Sequence, residues 1–293
     1  MEHTRGARVA ALFVHPIKSA AAIPIDEMTL DDLGAVGDRR WLVIDDAGNQ
    51  VTARETPALA LVRQRFADVV DPDARPRRNV DGPLWLEAAD SAGIRVELPT
   101  TAATRVVRVW DDAVMAHDAG DAVAKWMSRV LAKSCRVVRL AESARRPLAV
   151  KHAGPVPHDG RRVAFTDGAP LLLLGQASVN ALSDRLVEQG GEPMVVARFR
   201  PNIVLAHTAP HEEDTWRSIA IGAVRFGIGA PCSRCVMTTI DPTTGERGVE
   251  PLRTLATYRR QDGDVMFGMN ITHAAPGMVR VGDLVSNIEW VVR

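Results

Sequence analysis

Two of the chain's three cysteines stand in Pro231-Cys232-Ser233-Arg234-Cys235, followed by Val236-Met237-Thr238-Thr239-Ile240 and an Asp241-Pro242-Thr243-Thr244-Gly245 turn. A C-x-x-C pair raises two familiar chemistries. Structural zinc takes about four protein ligands, usually with a second Cys or His pair close by. Here His273 stands alone downstream. A thioredoxin-like redox pair opens a helix after a buried strand, whereas Val236, Thr238 and Ile240 alternate as a strand does. Both readings are weak. What remains is a soft thiolate displayed on a β edge, which suits a metal that favours sulfur.

Other polar clusters sit where apolar runs hand over to loops. His15-Pro16-Ile17-Lys18-Ser19 follows the first strand, Gly37-Asp38-Arg39-Arg40 precedes Trp41, and Thr52-Ala53-Arg54 closes a hairpin. Phe165-Thr166-Asp167-Gly168-Ala169-Pro170 precedes a helix region and Arg198-Phe199-Arg200-Pro201-Asn202 a strand. Taken singly, each reads as a solvated loop, with Arg40 and Arg198 as surface charges. Taken together they read differently. Lys18, Arg39 and Arg200 can bind a phosphate, the arginines in bidentate fashion. Asp167 can accept two hydrogen bonds from an amino-pyrimidine edge, and Gly168 allows close backbone approach to a flat ring. A thiolate, an anion clamp and a heterocycle reader suit a pterin–dithiolene metal cofactor with a terminal phosphate.

These loops need a rigid frame, and the first hundred residues read as short strands between turns. Val9–Val14 is a buried-strand candidate. Trp41–Ile44 and Gln50–Thr52 flank Asp46-Ala47-Gly48-Asn49, a hairpin signal. Leu84–Leu86 and Ile94–Leu98 form a second pair, joined by a loop ending at Gly93. A Pro-, Arg- and Asp-rich loop from Asp71 to Gly82 separates the pairs. The spacing suits a small antiparallel sheet or barrel. Ala119, Ala122, Val123, Trp126, Met127, Val130 and Leu131 recur at helical spacing, with Asp118 placed to cap them. A strand follows at Arg136–Leu140, then a linker from Ala144 to Arg162. Val179, Leu182, Leu186 and Val187 predict a helix ending at Gly190-Gly191. Strands are expected at Asn202–Leu205, Ile219–Ile221, Val224–Ile228 and Val279–Val281, and Pro251 opens a short helix carrying Leu252 and Leu255.

Bulk properties bound the function. The 293 residues suffice for one large or two ordinary domains. Thirty-six basic residues balance 36 acidic ones, which argues against a general polyanion binder, although a local basic cluster can still hold a small phosphate. One Tyr and six Phe leave little for base stacking, so no nucleic-acid partner is expected. The odd cysteine count and the absence of a secretory signal favour a cytoplasmic setting. The longest apolar run, Ala169–Leu174, is too short to span a bilayer. Cys135 reads as a small buried hydrophobe.

At these residues the chain resembles the MOSC-domain proteins that carry an N-terminal MOSC β-barrel domain, a group including the mitochondrial amidoxime-reducing component and YcbX-like proteins. The matching segments are His15–Ser19, Asp38–Ile44, Thr52–Arg54, Asp118–Asp121, Phe165–Asp167, Phe199–Asn202, Cys232–Cys235 with Thr238–Pro242, and Val281–Asp283, in the family's order. The resemblance implies an α+β, β-rich fold. A MOSC N-terminal barrel-like domain with its following helix would cover 7–140, and a MOSC β-barrel domain with flanking helices 145–290.

It also implies a molybdenum cofactor, a pyranopterin dithiolene, held between the lobes. Cys235 would be the molybdenum ligand and catalytic residue, and Cys232 would line the pocket without binding metal. Lys18, Ser19, Arg39, Arg200 and Asn202 would contact the cofactor, with Asp167 and Gly168 reading the pterin. Arg54 and Asp118 match family positions too, either as functional residues or as a buried ion pair and a helix cap. The implied activity is reduction of N-hydroxylated compounds to amines or amidines. YcbX-like proteins often carry a ferredoxin module, but no further cysteines occur here, so electrons would come from a separate flavoprotein, ferredoxin or b-type cytochrome. The membrane anchor of the mitochondrial relatives is absent, so no membrane partner is expected. The rival reading is a non-catalytic molybdenum-cofactor or sulfur carrier, since MOSC domains also occur fused to cofactor sulfurases.

Overall fold

The first strand of the chain is hydrogen-bonded to strands from its second half, and this sets the geometry of everything between them. In the computed structural model, which describes residues 6–68, 75–99, 104–156 and 161–291, Arg8–Val14 pairs with Ile203–Ala206 on one side and Ile23–Ile25 on the other. These strands belong to a nine-stranded sheet that continues through Leu171–Gly175, Asp264–His273, Val224–Ser233, Trp216–Ile221 and Val285–Trp290, with Arg260–Gln261 alongside. Residues 71–74 of the predicted Asp71–Gly82 loop and 157–160 of the predicted linker lie outside the described residues.

The pairing in this sheet is antiparallel except between Leu171–Gly175 and Ile203–Ala206. Parallel neighbours need a crossover, and helix α2 (Gln176–Glu188) opens it, burying Val179, Leu182 and Leu186. Leu171-Leu172-Leu173-Leu174 is buried along its whole length, as a strand covered on both faces must be. The expected helix therefore starts only at Gln176, after a strand rather than directly after the Phe165–Pro170 loop. It ends as predicted: Gly190 takes φ 79° and the Gly191 N–H returns to the Leu186 carbonyl.

A four-stranded sheet runs Trp41–Ile44, Arg136–Leu140, Asp112–Asp118, Thr104–Val109. Two three-stranded sheets complete the frame: Arg63–Phe66, Leu84–Ala88, Ser91–Val96, and Gly277–Arg280, Glu27–Asp31, Gly34–Ala35. The predicted α1 forms at Asp121–Leu131, buries Trp126 and Met127, and has Gly120 as its N-cap. Asp118 precedes the cap and accepts from the Gly120 N–H.

Several expectations change. The turn after Ile44 is present, but Gln50–Thr52 makes only an isolated bridge, because Trp41–Ile44 takes Arg136–Leu140 as its partner. Gly93 lies inside a strand, not at a loop's end; a Cβ there would meet the Trp85 indole at 2.6 Å, so the glycine lets that ring lie flat on the backbone. Val236–Thr239 is a single 3-10 turn, not a strand. The Thr238 and Thr239 hydroxyls donate to the carbonyls of Cys235 and Val236, closing the turn locally. Cys235 thus stands at the mouth of a turn, with Cys232 on the bulged end of the preceding strand.

Gly37 takes φ 77°, and a Cβ there would run into the Val80 carbonyl oxygen. Replacing it with alanine in this left-handed backbone is expected to cost more than about 1 kcal/mol of stability. A urea titration should show Gly37→Ala unfolding at a lower midpoint; an unchanged midpoint would contradict the assigned constraint.

Candidate functional site

Loops from both halves of the chain meet around a cavity of about 850 Å³. Lys18, Ser19, Arg39, Arg54, Asp167, Gly168, Arg200, Asn202, Cys232 and Cys235, which the sequence singles out, all line it. They arrive there through long-range pairing. The Lys18 backbone N–H bonds the Trp41 carbonyl, that of Arg39 the His15 carbonyl, and that of Phe165 the Arg39 carbonyl.

Arg39 is the junction. Its Nη1 donates to Asp38 Oδ2 at 2.6 Å and to Asn202 Oδ1 at 3.0 Å, and its Nη2 to the Arg200 carbonyl at 3.2 Å. Asp38 is buried. Burial works to raise its pKa, but Arg39 and His15 prevail and hold it down at about 2. His15 is itself pushed well below its ordinary value by burial, and is neutral at pH 7. Arg200 Nη1 donates to the Ala20 carbonyl at 2.6 Å, while its Nη2 is buried with no hydrogen-bond partner. Burial, with Arg39 beside it, lowers Arg200 to about 9, so it remains charged at pH 7.

The three predicted clamp cations are therefore not equivalent. Lys18 Nζ donates to Asp167 Oδ1 at 2.6 Å and to the Phe165 carbonyl at 2.9 Å. Burial lowers its pKa, and Asp167 opposes this. Arg39 is balanced by Asp38, whereas Arg200 has no ion pair among the described residues. Asp167 is not a free reader either. The surrounding protein works to raise its pKa, but Lys18 and then Arg54 and Arg39 hold it below the carboxylate range. Ser19, Arg39 and Arg200 take φ of 71°, 48° and 55°, a left-handed backbone that costs non-glycine residues on the order of 1–3 kcal/mol each. Such strain persists only where the surroundings fix it.

On the sulfur side, Arg54 Nε donates to Cys235 Sγ at 3.1 Å, and Arg234 Nη1 to Cys232 Sγ at 2.8 Å. Both thiols are free and partly accessible. Among the described residues no three His, Cys, Asp or Glu side chains gather as a metal cage. A metal at Cys235 would take its other ligands from an incoming molecule. Gly168 does admit a flat ring at close range, and the ring found there is the protein's own: a Cβ would lie 2.6 Å from His152 Nε2.

Other expectations resolve away from solvent. Arg40 is buried and donates to both carboxylate oxygens of Asp31. Arg198 lines the cavity and pairs with Asp241 at 2.7 Å. Asp118 is not on the wall; it holds Arg136 and Arg105 beside α1. His273 is buried in the sheet against the Asp31 carbonyl, away from the cavity, and burial lowers its pKa. Cys135 is buried, which raises its pKa, as suits an inert thiol. Sequence reasoning missed Trp110, Arg146, His152 and Arg234 on the wall. For Trp110 a signal existed in hindsight, since alternating residues flank Trp110-Asp111 on both sides, but the turn has no Gly or Asn to mark it.

The family model for the MOSC N-terminal beta barrel domain matches residues 6–161, and that for the MOSC domain residues 160–286. The chain belongs to the MOSC-domain family. It is 32% identical to mitochondrial amidoxime-reducing component 1 of Homo sapiens over 94% of this chain and 81% of that protein. Against the Xenopus laevis protein of the same name identity is 30%, covering 96% and 82%. Molybdenum cofactor sulfurase of Homo sapiens is 29% identical over 91% of this chain, but over only 30% of its own length. Members of this family generally bind the molybdenum cofactor, and this MOSC cavity is the place in the chain where loops of both matched segments converge.

The buried Asp38 gives a pH test. Its pKa falls from 3.8 in the free side chain to about 2 in the fold, so the stabilisation is complete above pH 4 and is lost as pH falls through 2. Asp38→Asn should lose roughly 2 kcal/mol or more at pH 7. Its deficit against wild type should shrink on acidification from pH 4 to 2, measured by denaturant titration. A deficit independent of pH would remove the charge from the account.

Proposed function

We propose that the cavity seats a molybdenum cofactor and that the protein reduces N-hydroxylated compounds such as amidoximes and hydroxylamines. The observation carrying this reading is a single cavity lined by both the Cys235 thiol and Arg200, whose buried Nη2 donor has no hydrogen-bond partner. A soft metal suits the first and a phosphate the second. Seven basic and four acidic residues line the cavity of a chain with no net charge, so the positive potential is focused there. The amidoxime-reducing components are matched over 81–82% of their own length and the cofactor sulfurase over only 30% of its own, which favours reduction over carriage.

In this reading Arg200 and Arg39 hold the phosphate, Asn202 keeps Arg39 in register, and Lys18 and Ser19 close the same corner. Asp167 and Gly168 face the pterin. Cys235 supplies the protein sulfur to molybdenum. Cys232, already engaged by Arg234, lines the pocket. Bound, the cofactor supplies two-electron redox chemistry, so that N–O cleavage with two electrons and two protons yields the amine or amidine and water. The electrons come from a separate donor protein, a flavoprotein, ferredoxin or b-type cytochrome. The match to part of a cofactor sulfurase favours the second reading, a cofactor or sulfur carrier without turnover.

Turnover of benzamidoxime with a reduced dye separates the two. Cys235→Ser should keep pterin and lose activity, whereas Cys232→Ser should keep most of both. The reverse pattern would assign the ligand to Cys232. Arg39→Ala should purify folded with pterin content lowered by roughly tenfold or more. Wild-type pterin content in that variant would take Arg39 out of the seat.

A further inference from the structure

Trp110 is in the wrong place for a structural tryptophan. The strands Thr104–Val109 and Asp112–Asp118 pair Val109 with Asp112, so Trp110 and Asp111 form a two-residue hairpin turn. Of the two, only Trp110 has a positive φ, 57°. The first position of such a turn favours glycine, which has no Cβ to strain. The tryptophan gains little burial in return, for it is 45% exposed. Strain of this kind, at a site that does not bury the side chain, points to use of the ring.

The ring's surroundings indicate the use. Its Nε1 donates edge-on to Asp167 Oδ1 at 3.2 Å. Over its face lies the Arg54 guanidinium, 4.4 Å from the ring centroid, within the range of cation–π attraction. Arg54 Nη2 stands 3.5 Å from Asp167 Oδ2, a loose approach. Arg54 Nε meets Cys235 Sγ at 3.1 Å. A flat, conjugated N–C–N donor is thus held between an aromatic face, a carboxylate edge and the Cys235 thiol. The protein's own arginine fills that place, while Lys18 Nζ also holds Asp167 Oδ1, at 2.6 Å.

The geometry points to Trp110 and Asp167 as a two-sided reader of planar N–C–N groups, with Arg54 as its resident occupant that a ligand displaces. Two ligands of the proposed function carry this chemistry: the amino-pyrimidine edge of a pterin and the amidine head of a reduced substrate. The inference rests on the proposed reading only for the choice of these two, because the seat itself is defined by Trp110, Asp167 and Arg54.

The test uses neither metal nor turnover. Benzamidine and free pterin are titrated calorimetrically into cofactor-free wild type, Trp110→Phe and Trp110→Gly, with benzylamine as a cation lacking the N–C–N plane. Losing an aromatic stacking platform should weaken at least one planar probe by about tenfold in Trp110→Gly. Trp110→Phe should retain most of the affinity, and benzylamine should not discriminate among the proteins. Loss for pterin assigns the seat to the cofactor, loss for benzamidine to the substrate, and loss for both to the shared chemistry. Trp110→Gly should melt no lower than wild type, since glycine relieves the turn. Equal affinity of both planar probes in all three proteins would overturn the proposal. So would a Trp110→Gly protein that melts well below wild type, because the ring would then be structural. A loaded protein that failed to reduce benzamidoxime would overturn the functional reading and leave the binding result standing.

Discussion

Arg39 ties the two halves of the molecule together at the cavity. Its guanidinium answers a buried carboxylate on its own loop, Asp38, and reaches across to Asn202 and the Arg200 carbonyl. Either charge alone at that depth would cost stability, since removing one partner of a buried pair leaves the other uncompensated. The pair therefore fixes more than itself. Asn202 also accepts from the Leu172 N–H and donates to the Phe13 carbonyl, so the same side chain joins the first strand, the central Leu171–Gly175 strand and the arginine.

With that frame fixed, the site can hold strain and charge that an isolated loop could not. Ser19, Arg39 and Arg200 keep left-handed backbone, and Arg200 keeps a buried donor with nothing to bond. A buried unsatisfied donor costs about 1–3 kcal/mol. An anionic ligand that engaged it would recover that cost on binding. The stability the fold gives up around the cavity is thus available as affinity for an anion.

Much of the wall was legible in the sequence because its residues fall where apolar runs end, the places strands deliver side chains to loops. Family resemblance then grouped Lys18, Arg39, Asp167, Arg200 and Cys235, which no local pattern could connect. The internal pairing was not legible. Lys18 meets Asp167 across 149 residues and Arg54 meets Cys235 across 181, so the charge balance of the wall is a tertiary property. Local chemistry overrode period at Val236–Thr239, where threonine hydroxyls close a turn on a strand-like alternation. Burial overrode polarity at Arg40, whose Nη2 donates to both oxygens of Asp31, a residue in a different sheet from the neighbouring Trp41 strand. The Leu171–Gly175 run was ambiguous because short continuous apolar segments carry no period.

The proposed function turns on one protein sulfur, from Cys235, meeting molybdenum in the cavity where Arg200 and Arg39 hold the cofactor by its phosphate. Molybdenum-edge X-ray absorption on protein from a cofactor-competent host reads this directly. The account predicts a sulfur shell containing the dithiolene pair plus one protein thiolate in the wild type, with the thiolate contribution lost in Cys235→Ser and kept in Cys232→Ser. A shell that is the same in wild type and Cys235→Ser would contradict it.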